Sequence, residues 1–196
     1  HKAHQHPAFR RYMVNAVIAQ APGKDGTAPV ETEDLPTLDR LAGRIEHVSH
    51  MGSLMTDFTL IRPGALHRAN GGFLVLDARR VLAEPYAWDA LKRSLKKRAI
   101  TITSMAERMS LISTTSLEPD PIPLDLRVVL IGDRMLHALL VLLDPDFPEL
   151  FKVQADFEDI VGRDDETLAG LADLLRCYGV QQGLLPLADT GAAALL

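Results

Sequence analysis

Phe73-Leu-Val-Leu76 is an unbroken apolar run, preceded by Gly71 and Gly72 and ended by Asp77. A run this short, bounded by turn residues, is the pattern of a strand buried on both faces of a parallel sheet. Leu126 to Ile131, apolar but for Arg127, repeats the pattern and is followed by Gly132 and Asp133. A helical stretch follows each run, so the two units together point to an α/β sandwich. An acid at the carboxyl end of a central parallel strand stands at the edge where open α/β sheets take ligands. There it can hold a magnesium ion, directly or through water. The pattern equally fits a solvated aspartate that only begins a turn.

The 196 residues are 47% hydrophobic and 24% charged, ordinary for a globular protein and enough for one sizeable core or one domain plus part of another. A net charge of −5 argues against a whole-chain nucleic-acid binder. The lone Cys177 excludes an intramolecular disulfide framework and fits a reducing, cytoplasmic setting. No apolar run approaches the roughly 18 residues that span a bilayer. The chain lacks an initiator Met and stops in an uncapped apolar run, so both ends look cut from something longer.

In chain order, residues 1–8 read as a polar tail or linker. Arg11 to Ala19 reads as a strand, and Gln20 to Leu35 as an exposed loop. Pro36 starts a short helix that ends near Gly43. His47 to Phe58 has no clean period: it either packs on the sheet or is a mobile loop that exposes apolar groups for a purpose. His47 and His50 lack the glutamate of a zinc-protease helix. Pro63 to Ala69 reads as a short helix. Val81 to Leu95 is amphipathic, one helix or two broken at Pro85. Lys92, Arg93, Lys96, Lys97 and Arg98 lie on its polar side, either a solvated face or a weak case for DNA. Residues 100–103 and 111–116 read as a hairpin, Met135 to Leu143 as a buried helix and Glu149 to Phe157 as an edge strand. Thr167 to Tyr178 reads as a helix capped by Gly179, with Cys177 by default packed on its apolar side. The sequence contains neither a glycine-rich phosphate-binding loop ending in Lys-Ser/Thr nor a serine-nucleophile motif.

Several stretches resemble a known family. They are Arg44-Ile-Glu-His47, Met51 to Leu60, Pro63 to Ala78, Ser116 to Asp125, Val128 to Arg134 and Asp144 to Val153. Together they resemble the AAA+ ATPase module of Lon-like ATP-dependent proteases, nearest to the branch related to archaeal membrane Lon (LonB). The resemblance implies a partial three-layer P-loop/AAA+ sandwich lacking its Walker A part. Residues 9–162 would be the core fragment and 163–196 the start of a helical lid. Phe73 to Asp77 would be the Walker B strand, with Asp77 acting on Mg²⁺, and Ala78 stands where a water-orienting Glu is usual. Asp133 would sit at sensor 1 and Lys152 near the place of an arginine finger, both beside ATP. Met51, Met55 and Phe58 would face the pore and grip protein substrates. The resemblance also implies a homo-oligomeric, hexameric ring and a serine protease domain outside this chain. The fragment alone would be inactive, and the alternative is a degenerate scaffold that assembles without turnover.

Overall fold

In a computed structural model, residues 9, 12–18, 27–50, 53–102, 117–185, 188 and 190–192 are described. The chain divides into two compact units, residues 1–152 and 153–196.

The first unit is built on three parallel strands in the order β1 (Val30–Glu33), β6 (Phe73–Asp77), β9 (Arg127–Ile131). Between β1 and β6 lie α1 (Leu38–Ala42), β2 (Arg44–Ile45), β3 (Val48–His50), β4 (Ser53–Met55), β5 (Ile61–Arg62) and α2 (Ala65–Arg68). The helices α3 (Ala78–Ala83) and α4 (Ala87–Lys97) and the short pair β7 (Ala99–Ile100) and β8 (Ile122–Pro123) lead to β9. After β9 come α5 (Arg134–Leu143) and α6 (Phe147–Leu150).

Strand alternation assigns the two sheet faces. Leu74 and Leu76 of β6, with Val128 and Leu130 of β9, pack with Leu41, Leu66, Val81, Leu91 and Ile100 in the main core. Phe73 and Ile131, on the other face, are 40% and 59% exposed, and Val30 and Val129 are exposed beside them. The expectation of strands buried on both faces therefore holds for one face only among the described residues.

β1 falls inside the stretch expected to be loop. Glu31 and Glu33 point to its core side, where Arg68 of α2 bonds both, and Arg40 lies 3.6 Å from Glu33. A strand whose inward residues are carboxylates carries no apolar signal, and their ion pairing is what makes it possible. Residues 12–18 form no strand. Their Tyr12 and Val14 side chains are exposed, and Asn15 Nδ2 ties the segment to the Phe58 and Ile61 carbonyls.

The irregular stretch from His47 is a hairpin, β3 on β4, with Val48 opposite Met55. The helix broken at Pro85 is two helices, separated by Tyr86 at φ 63°. Of the expected 100–116 hairpin, residues 103–116 lie outside the described residues, and Ile100 pairs with Ile122. Residues 149–157 are not an edge strand: α6 ends at Leu150 and an exposed, irregular segment follows. Only Leu140 of α5 is buried, so the expected buried helix has an open apolar side.

In the second unit, α7 (Asp165–Gln181) is capped by Asp164, which accepts the Thr167 N–H at 2.8 Å. It runs through Gly179 rather than ending there, it buries no residue, and Cys177 is exposed.

Candidate functional site at the carboxyl edge of the sheet

β6 and β9 run side by side with Leu76 opposite Leu130 and Asp77 opposite Ile131. This register brings Asp77 and the Gly132-Asp133 turn to one edge. Each acid ends its strand and caps the helix that follows. Asp77 Oδ1 accepts the Arg80 N–H at 2.9 Å, and Asp133 Oδ1 accepts the Leu136 N–H at 2.7 Å. Side-chain caps of this kind satisfy amides that the first helical turn leaves unpaired.

The two acids differ in what they keep free. Arg79, on the first turn of α3, donates to Asp133 Oδ2 at 2.9 Å. Both Asp133 oxygens are thus engaged. The Leu136 amide, then the Arg79 guanidinium, hold its carboxyl below the usual carboxylate range. Asp77 has its second oxygen without a bond among the described residues. Arg79, which joins the two strand ends, was left without a role by sequence reading. The signal was present: a cation two residues past a strand-ending acid lies on the first turn of the following helix.

Ala78, between Asp77 and Arg79, is 4% exposed. A Cβ added at Gly132 would stand 3.2 Å from the Ala78 methyl, so α3 and the β9–α5 turn touch here with room for little else. Ala78 is a packing residue in this fold.

A magnesium–nucleotide group fits this edge in part. The free oxygen of Asp77 is a hard donor suited to a hydrated Mg²⁺, which proteins commonly hold through one or two carboxylates with the rest supplied by water and phosphates. No cluster of three or more His, Cys, Asp or Glu side chains is present among the described residues, so an all-protein metal cage is not. A backbone cradle for phosphates is absent from the sequence as well.

The other expected site residues are dispersed. Lys152 is exposed and follows α6. Among the described residues no hydrogen bond or ion pair joins Lys152 to Asp77 or Asp133. Met55, at the end of β4, and Phe58, on the single 3₁₀ turn that follows, are each exposed. Met51 lies outside the described residues. Of the basic run on α4, Lys92 bonds Asp144 at 2.8 Å and Lys96 bonds Asp146, which leaves Arg93, Lys97 and Arg98. No helix among the described residues is long and apolar enough to cross a membrane.

Comparison with known proteins bears on the family and the fold. The family model described as "LonB-like, AAA domain" matches residues 26–158. A putative Lon protease homolog from Escherichia coli K12 is 34% identical over 104 residues, covering 53% of this chain. The matched segment is 17% of that relative's own length. Among solved structures, NtrX from Brucella abortus superposes with a TM-score of 0.52 at 18% identity, over 86% of this chain and 36% of that one. That likeness is one of fold alone.

Proposed function

The chain belongs to the family of LonB-like AAA domains, and from that premise we propose that it is the central part of the ATPase module of a Lon-type ATP-dependent serine protease. The longer protein would form a homo-oligomeric, hexameric ring in the cytoplasm. It would couple nucleotide binding to the unfolding of protein substrates and feed them to a Ser–Lys protease domain. The observation that carries this reading is the parallel β6–β9 pair, which sets Asp77 and Asp133 at one edge with an unengaged oxygen on Asp77. When bound, Mg²⁺ neutralises charge on the nucleotide's phosphates. Asp77 would hold the ion through water. Asp133 would fix Arg79 rather than a water molecule, and Lys152 would serve a neighbouring subunit's site. Met51, Met55 and Phe58 would contact the polypeptide being unfolded.

The exposed face of the sheet and the edge of β9, open among the described residues, fit the same reading. Parallel sheets are covered by helices on both faces. The missing layer of a three-layer sandwich would come from the rest of the longer protein, together with a phosphate-binding loop.

A second reading is a scaffold that assembles the ring without turnover. The buried methyl of Ala78 favours it, because a hydrocarbon cannot orient water. ATPase assays of the full-length protein with the Asp77→Ala variant decide the matter. A loss of about 100-fold or more is expected if Asp77 acts on the metal. Measurable hydrolysis at equal rates in both would exclude that role. No hydrolysis in either, with the ring intact, would establish the scaffold.

A further inference from the structure

We propose that a cavity at the amino-terminal end of β9 binds the free C-terminal carboxylate of an extended peptide ending in an apolar residue. The cavity measures about 470 Å³ and is lined by Leu95, Arg98, Leu124, Asp125, Leu126 and Arg127. That volume is within the range of small-ligand sites. It lies across the length of β9 from Asp77, so it is separate from the edge described above.

Its walls are pinned. Arg98 ends α4 at φ 49°, and its carbonyl accepts the Leu124 N–H at 2.9 Å. Opposite, Asp125 accepts the Gly71 N–H through its carbonyl at 2.7 Å and donates its own N–H to Asn70 Oδ1 at 2.9 Å. The Arg127 N–H donates to the Gly72 carbonyl at 2.9 Å.

The guanidiniums are not consumed by these bonds. That of Arg98 has no partner among the described residues, and that of Arg127 has only Asp125 at 3.9 Å, beyond hydrogen-bond length. Two planar cationic forks and three leucines line the same cavity, a combination that suits a carboxylate with an apolar neighbour. Asp125 narrows the choice. Its carboxylate disfavours a polyanion such as a nucleic-acid backbone, yet it can accept the N–H of the terminal peptide bond, which a fatty acid lacks.

Fluorescence anisotropy on the full-length protein, without nucleotide, tests this with fluorescein-Gly-Gly-Ala-Leu and the same peptide amidated at its C-terminus. The amidated peptide is expected to bind about tenfold or more weakly. Arg98→Gly and Arg127→Gln should each weaken the free-acid peptide by a similar factor and leave the amidated one unchanged. Glycine is chosen at position 98 because it takes φ 49° without strain, and melting curves check that both variants fold. Equal binding of the two peptides, no binding of either, or wild-type affinity in both folded variants would overturn the proposal.

Discussion

Ala78 shows how a single methyl can close a site. It is buried where α3 meets Gly132, and the residues on either side carry the polar chemistry. Ala78→Glu would force a carboxylate into that contact. The expected outcome is no gain in ATP hydrolysis and a stability loss of roughly 1–3 kcal/mol, read as a lower melting temperature of the full-length protein. His67 is a second residue-scale case. It is fully buried, its Nδ1 accepts the Gly64 N–H at 3.2 Å, and its Nε2 has no partner among the described residues. Burial, with the Arg68 charge beside it, pushes its pKa down from 6.5 to about 4. The unfolded chain therefore takes up a proton before the folded one does. Stability is full above pH 6.5 and falls as the pH drops toward 4, by roughly 3 kcal/mol at most. His67→Leu should cost about 1 kcal/mol at pH 7 by orphaning the Gly64 N–H, and should flatten the acid dependence in that window. Urea melts at several pH values check both.

At the scale of elements, α4 is fastened to the segment after α5 by two acids, Asp144 and Asp146, of which Asp144 takes the larger part. Asp144 accepts from Trp88 Nε1 at 2.7 Å and from Lys92 at 2.8 Å, and the Trp88 ring stacks on Phe151 at 5.9 Å. Burial raises the Asp144 pKa, but the Lys92 and Trp88 bonds outweigh it and hold the carboxyl below its ordinary value. The contribution of Asp144 is present above pH 4 and is lost as the pH falls through the lowered pKa. Asp144→Ala leaves Lys92, mostly buried, without its closest anion, and is expected to cost about 2–3 kcal/mol in chemical denaturation. Trp88→Phe keeps the ring contact and should cost less. Legibility from sequence follows the same physics. β6 and β9 were readable because Phe73 to Leu76 and Val128 to Ile131 are continuously apolar, and Asp77 and Asp133 because each follows such a run. β1 was hidden by Glu31 and Glu33, whose partner Arg68 is 35 residues or more away in sequence. The pair β3–β4 was too short to show a period. The segment 149–157 alternates without a partner strand among the described residues, so its pattern had nothing to report. Arg79 needed the register of two strands before its partner, 54 positions on, could be known.

For the molecule as a whole, the apolar sheet face is the dominant fact. Phe73, Val129 and Ile131 are exposed on it, and on α5 so are Met135, Leu139, Leu142 and Leu143. Val129→Lys with Ile131→Lys should lower the melting temperature of the full-length protein by several degrees, because burying unpaired ammonium groups is costly. The same pair should hardly change the melting of residues 1–196 alone, and should reduce dye binding by that fragment. Unchanged melting of the full-length protein would mean that nothing covers this face. The two borders of the sheet are not alike, and this sets a direction of growth. Among the described residues β9 presents an open border, whereas β1 is four residues long and backed by the Glu31–Glu33–Arg68 cluster. Head-to-tail stacking of copies into a fibre would need the open border of one copy to meet the short, ion-backed border of the next, a poor template for continued pairing. Among the described residues, then, one border of the sheet could template a further strand and the other could not.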